Sequence, residues 1–294
     1  MARLVYLGSP EVAVGPLRAL VDAGHEILLV VSQPDKRRGR GGALSPSPVK
    51  AAALDLGLPV SDRVDDVLAT GADLGVVVAF GRLIKPHVLA VVPMVNLHFS
   101  VLPRWRGAAP VEWALLSGDQ STGVCLMALE EGLDTGPVYE CRETPITAED
   151  TLDALRGRLA ELGTEILVRR LSGGAATLGE PRAQVGDGTY APKLTPEHLR
   201  LDWTRPAQEL ERVVRLGGAW TTMGGRRLRV LAADVDDDGH DAPRLVPGTI
   251  DGVRVGTGQG SLRLSLVQPE GKGSMDAGAW LRGARLPAGT TLGS

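Results

Sequence analysis

Asn96 and His98 stand two residues apart in the run MVNLHFS, and Asp134 follows in the glycine-flanked turn EEGLDTGPV. On a strand, a spacing of two sends both side chains out of one face. An amide N–H can stabilise an oxygen that gains negative charge, an imidazole can carry a proton, and a carboxylate can hold that imidazole charged. The glycines around Asp134 let the backbone come close to a ligand. Taken singly, each residue also has an ordinary structural explanation. A histidine at a strand end is commonly a hydrogen-bonded scaffold residue, and an aspartate in a glycine turn commonly bends the chain.

The surrounding elements decide whether the three can meet. Short apolar runs at Arg3–Gly8, Glu26–Ser32, Asp73–Phe80 and Val95–Ser100 read as strands, the third (DLGVVVAF) as one buried on both faces. Helical segments lie between them at Pro10–Ala23, Val49–Leu56 and Pro110–Ser117. The alternation predicts an α/β, doubly wound, Rossmann-like sheet, with ligands bound beyond the carboxyl ends of its strands. Asn96 and His98 fall at such an end. Leu152, Leu155, Leu159, Leu162 and Ile166 make one apolar stripe along a helix over Glu149–Leu171. From Gly179 to Thr204 the chain is turn-rich and reads as a connector. Beyond it a helix at Pro206–Leu216 precedes strands at Arg227–Val235, Gly248–Thr257 and Ser261–Val267, which suggest a small OB-like barrel. The expected division is therefore 1–188 for a catalytic domain, 189–205 for a linker and 206–294 for a C-terminal domain.

Composition narrows the class. The 294 residues include 43% apolar and 23% charged, ordinary for a globular protein, and no apolar run is long enough to span a bilayer. A net charge of −3 gives no global field for a polyanion, so such a partner must be met by local patches. Cys125 and Cys141 lack metal-ligand spacing and argue against a zinc site and a disulfide framework, which fits a reducing cytoplasm. The first turn, GSPEVAVGP, lacks G-x-G-x-x-G and does not predict a dinucleotide site. The acidic turn at Asp234–Ala242 lacks the ligand spacing of a calcium loop.

The ensemble NLHFSVLPRWRGAAP followed by GLDTGPV resembles the Asn–x–His … Asp signature of enzymes that use 10-formyltetrahydrofolate. The opening VYLGSPEVAVGPLRALVDAGHEI, the loop SQPDKRRGRGGALSPSPVK, the strand VVVAFGRLIKP and the tail LVQPEGKGSMDAGAWLRG extend the resemblance to the methionyl-tRNA formyltransferase family, almost end to end. The resemblance implies a formyl group moved from 10-formyltetrahydrofolate to the α-amine of methionine on initiator tRNA, without a metal. An amine attacking a formamide carbonyl builds an oxyanion and an ammonium. Asn96 would donate to the oxyanion, a contact typically worth about 3 kcal/mol. His98 would stabilise it and relay a proton, worth on the order of 10² to 10⁴ in rate. Asp134 would hold the imidazolium.

The same resemblance places folate against Phe80, Gly81, Arg82, Leu83 and Ile84, against Ser100, Leu102 and Pro103, and against Glu130, Glu131, Gly132 and Leu133. It places tRNA on Arg37, Arg38 and Arg40 of the basic loop 33–50 and on Arg104 and Arg106, with Arg40 on the family's key arginine. Charge alone would make that loop an ordinary solvated segment, and Arg104 and Arg106 could equally satisfy loop carbonyls. Phe99 and Val101 depart from the small and leucine residues usual in the motif. The expected state is a cytoplasmic monomer. A sugar-nucleotide N-formyltransferase with the same core and a non-catalytic RNA-binding homologue are the alternatives; the basic loop and the tail favour tRNA over the first, and the intact trio speaks against the second.

Overall fold

The computed structural model describes residues 1–38, 42–236, 244–286 and 289–293. Two compact units emerge: residues 1–111 with 121–145 and 154–192, and residues 112–120 with 146–153 and 193–294.

In the first unit the chain runs β1 (Arg3–Gly8), α1 (Val14–Asp22), β2 (Glu26–Val31), a hairpin of β3 (Lys36–Arg38) and β4 (Ala43–Ser45), α2 (Pro48–Asp55), β5 (Val60–Ser61), β6 (Leu74–Val78), α3 (Pro86–Leu89) and β7 (Met94–His98). It continues with β8 (Arg106–Gly107), β9 (Ser121–Ala128), β10 (Val138–Pro145), α5 (Leu152–Leu171) and β11 (Tyr190–Ala191), while α4 (Pro110–Ser117) falls mostly in the second unit. Seven strands form one sheet in the order β10-β9-β7-β6-β1-β2-β5. The five from β5 to β7 are parallel, as the alternation of strands and helices requires. β9 and β10 extend the sheet antiparallel to β7, an extension not anticipated from the sequence.

β6 is buried at all five positions. Gly75 within it is a packing requirement, since a Cβ there would come within 2.6 Å of Met94 Cγ from the adjacent β7. On β7, Leu97 points opposite to Asn96 and His98 and is buried against α5. Gly163 of α5 allows this approach, because a Cβ there would lie 3.1 Å from Val124 and 3.2 Å from Leu97. A mid-helix glycine costs about 1 kcal/mol relative to alanine; here it lets the helix close on the sheet. Of the stripe, Leu155, Leu159 and Ile166 are fully buried, Leu152 is buried and Leu162 is half-buried; Leu167, outside it, is fully buried as well. The helix begins at Leu152, not Glu149, because the Asp150 carboxylate accepts the Thr147 N–H at 2.8 Å and closes a turn before it.

The cysteines correct the sequence reading. Cys125 and Cys141 sit directly opposite on β9 and β10, Cα atoms 4.1 Å apart, and form a disulfide. A separation of 16 residues carries no signal of this; the antiparallel register creates it.

The second unit holds α6 (Ala207–Arg215), β12 (Trp220–Met223), β13 (Arg226–Val235), β14 (Ile250–Asp251), β15 (Arg254–Gly256), β16 (Ser261–Pro269), β17 (Met275–Asp276) and α7 (Ala277–Ala284). All the strand pairs are antiparallel, in the order β12-β13-β16-β15-β14 with β17 on β16. The expected strand over Gly248–Thr257 is a hairpin of β14 and β15, turned at Gly252 with φ +57°. Trp203 and Trp280 join Leu210, Val213, Leu228, Val230, Leu262 and Leu264 in its core. The Trp203 indole N–H donates to Thr221 Oγ1 at 3.0 Å, so the polar edge of a buried ring is satisfied. The acidic turn lies largely outside the described residues.

Leu97→Ala is expected to lower unfolding stability by about 2–5 kcal/mol, because it opens a cavity between β7 and α5. Chemical denaturation of the two proteins checks this.

Candidate active site

β7 lies between β6 and β9, with Asn96 beside Val77 and Met127 and His98 beside Cys125. His98 is buried, its side chain 5% exposed. Asn96 is half-buried, and its amide takes no hydrogen-bond partner among the described residues.

After β7 the chain turns back on itself. Ser100 Oγ donates to Arg104 O at 2.6 Å and Arg104 N–H to Val101 O at 3.1 Å, and the Leu102–Pro103 peptide is cis. Trp105, at φ +61°, then brings its carbonyl to 2.8 Å from His98 Nε2. A carbonyl only accepts, so Nε2 carries a proton. Nδ1 faces Asp134 Oδ2 at 3.6 Å, longer than a hydrogen bond but within ion-pair reach. Both ring nitrogens thus face acceptors.

Asp134 is held as firmly. Its φ is +51°, in the left-handed region that few non-glycine residues occupy. Gly107 N–H donates to Oδ2 at 2.8 Å. Gly107 has φ +116°, and a Cβ there would lie 2.9 Å from Ala191 O, so only glycine fits without displacement. β8, which carries Gly107, pairs with β11, and Trp105 N–H donates to Thr189 Oγ1 at 2.9 Å. The segment read as a connector from Gly179 onward therefore braces the site through Gln184, Thr189 and Ala191. A single β-prone triplet, TYA, was the only sequence signal for it.

The other expected residues divide by environment. Phe80, Ile84, Ser100 and Leu102 are buried, Pro103 is half-buried, and Gly81, Arg82, Leu83, Glu130, Glu131, Gly132 and Leu133 are exposed. The Phe80 carbonyl accepts from Gln33 Nε2 at 3.3 Å, and the Arg82 guanidinium lies 5.6 Å over the Phe80 ring. Phe80 and Ile84 share one apolar cluster with Leu129, which brings the 80–84 and 129–133 segments to a common wall. Leu83 and Leu133 remain 75% and 55% exposed. Such apolar surface suits the apolar face of a small ligand.

In the basic loop, Arg37 pairs with Leu44 across the short hairpin and donates to Gly42 O at 3.2 Å. Arg38 pairs with Ala43 in backbone register, and Arg40 lies outside the described residues. Arg104 is exposed, its guanidinium 4.4 Å over the Trp105 ring. Arg106 is half-buried and bonded to Gln184. The described residues hold no group of three or more metal-ligating side chains. Phe99 is packed inside, and Val101 abuts Gly123, where a Cβ would approach its Cγ2 at 2.6 Å.

Comparison with known proteins follows the same outline. Residues 2–171 match the family model described as "Formyl transferase", and residues 193–285 match "Formyl transferase, C-terminal domain". A protein of Ruegeria pomeroyi named methionyl-tRNA formyltransferase is 43% identical over 305 residues, covering 99% of this chain and 100% of that one. One of the same name from a Jannaschia species is 45% identical over 309 residues, covering 99% of each. Among solved structures, an N-formyltransferase from Helicobacter canadensis in complex with folinic acid and dTDP-3-aminofucose shares the fold at TM-score 0.68, with 15% identity, covering 92% of this chain and 100% of that one.

Gly107→Ala is expected to cost about 1 kcal/mol or more, because alanine is strained at positive φ, and to move the N–H away from Asp134. Denaturation together with ¹⁵N spectra of the histidine rings tests both effects. The His98 signals should shift while those of the exposed His87 stay in place.

Proposed function

The chain belongs to the methionyl-tRNA formyltransferase family, and from that premise we propose that it moves a formyl group from 10-formyltetrahydrofolate to the α-amino group of methionine on initiator methionyl-tRNA, with Asn96, His98 and Asp134 at the reacting atoms. The observation that carries the assignment of the site is the clamp on His98, one nitrogen on the Trp105 carbonyl and the other facing Asp134. The substrate assignment rests on relatives of that name that match over the whole chain.

When bound, the folate supplies a formyl group on nitrogen. Phe80–Ile84, Ser100, Leu102, Pro103 and Glu130–Leu133 would hold it, with Leu83 and Leu133 covering its apolar faces. The half-buried Asn96 amide, uncommitted among the described residues, donates to the carbonyl oxygen as that oxygen gains charge. A donor with no hydrogen bond of its own to give up loses none at that moment. The amine gives up a proton as its bond to carbon forms. The His98–Asp134 pair takes and returns this proton on the Nδ1 side, since Nε2–H is committed to Trp105 O. The leaving nitrogen receives a proton when its bond to carbon breaks, and none is gained or lost overall. Asp134 orients the ring; Gly107 N–H keeps Asp134 in place.

Arg37, Arg38, Arg40, Arg104 and Arg106 are the proposed contacts to tRNA, Arg37 and Arg38 being on β3. Arg37 is exposed there, which supports the reading. We assign catalysis to residues 1–188 and tRNA capture to 206–294, joined by 189–205, in a cytoplasmic monomer. No helix of the described residues is long and apolar enough to cross a membrane.

Single-turnover formylation of methionyl initiator tRNA by the purified protein tests the whole reading. Transfer should be efficient, and His98→Ala should slow it on the order of 10² to 10⁴. Asn96→Ala should slow it by about 10² to 10³. An inert tRNA with formylation of an amino sugar nucleotide would keep the trio and overturn the substrate. Arg37→Ala should weaken tRNA binding and flatten its log–log salt dependence by about one, measured by titration at several salt concentrations.

A further inference from the structure

The Gln184 side chain has all its hydrogen-bonding capacity engaged at the active site. Its amide nitrogen donates to Asp134 O and to Gly136 O, both at 2.8 Å. Its oxygen accepts from Arg106 Nε at 3.1 Å and from Arg106 Nη2 at 2.7 Å. The assignment of the two ends is forced: reversed, the amide oxygen would face two carbonyls and the NH₂ would face a guanidinium. Gly188 makes room for that guanidinium, since a Cβ there would lie 2.6 Å from Arg106 Nη1. Val138 and Arg182 exchange backbone hydrogen bonds at 2.7 and 2.8 Å, which fixes the segment carrying Gln184 next to the Asp134 turn.

From this arrangement we propose that Gln184 is a positioning residue for catalysis, acting through Asp134, and that Arg106 serves as its anchor. The inference rests on the reading of Asp134 given above. A left-handed backbone at a non-glycine residue persists only where its surroundings hold it. At Asp134 the two N–H groups of Gln184 grip the turn at its own carbonyl and at the carbonyl two residues on, while Gly107 N–H grips the carboxylate. Gly107 follows Arg106 directly, so the same glutamine ties together both strands of chain whose spacing sets the gap between Asp134 and His98. Without it the turn can relax and the carboxylate moves relative to Nδ1. Gln184 itself touches no reacting atom.

The test compares Gln184→Ala, Gln184→Glu, Asp134→Asn and the double variant Asp134→Asn/Gln184→Ala in single-turnover formylation of methionyl initiator tRNA at saturating 10-formyltetrahydrofolate. Thermal melting shows that each is folded. Gln184→Ala should slow transfer by about 10- to 100-fold, the scale of a misplacement near 1 Å, at saturating tRNA. In the Asp134→Asn background the same change should cost less than about twofold, because coupled residues do not add. Gln184→Glu keeps an acceptor for Arg106 but loses both donors, so it should be as slow as Gln184→Ala. An equal loss from Gln184→Ala in both backgrounds would overturn the proposal, and so would wild-type transfer by Gln184→Glu, which would place the role in Arg106 alone. A wild-type rate in Asp134→Asn by itself would instead bring down the reading of Asp134 on which the proposal stands.

Discussion

The His98 ring lies between the Trp105 carbonyl, 2.8 Å from one nitrogen, and the Asp134 carboxylate, 3.6 Å from the other. For both acceptors to meet one buried imidazole, the end of β7, the loop after it and the turn after β9 must converge. The loop and the turn each carry a backbone feature that this meeting explains. Trp105 and Asp134 have positive φ without being glycine, and Gly107 has a φ that no other residue could hold beneath Ala191. Of the four left-handed non-glycine residues among the described residues, two, Trp105 and Asp134, thus flank one side chain, as expected where geometry serves chemistry.

The sheet makes that concentration affordable. β7 is flanked on both sides, its Leu97 face is sealed by α5, and Gly163 brings the helix close. The opposite face of the same strand carries Asn96 and His98. Period-two alternation therefore joins stability and function in a single five-residue element: one face supplies the apolar burial that fixes the strand, the other the polar groups it positions. β9 and β10 complete the frame, joined at their centre by Cys125 and Cys141. Cys125 is also the register neighbour of His98, so the disulfide lies beside the histidine's own strand.

In the second unit much of the arginine is occupied. Arg254 and Arg263 both pair with Asp236 at 2.5 Å, Arg215 pairs with Glu211, and the Arg227 guanidinium stacks 4.2 Å over the Trp220 ring. A count of basic residues therefore overstates the charge available to a polyanion, because a guanidinium facing a nearby carboxylate presents little field beyond it. Within the basic hairpin, by contrast, Arg37 donates to a backbone carbonyl and among the described residues faces no carboxylate.

The sequence by itself determined the parallel strands and the shared face of Asn96 and His98, because period-two and period-3.6 patterns and the spacing of Asn96 and His98 are local properties of the chain; Asp134 joined them only through the family resemblance. It also determined α5, whose stripe of leucines and Ile166 needs no partner to be recognised. Tertiary structure alone decided what lies far apart in sequence. The antiparallel strands β9 and β10 and the pairing of Cys125 with Cys141 depend on register between segments. The return of residues 182–191 to the site depends on contacts across some fifty to eighty positions, such as Gln184 to Asp134 and Thr189 to Trp105. A turn-rich stretch has no periodicity to read, and its polar side chains acquire meaning only when the carbonyls they bind are brought to them.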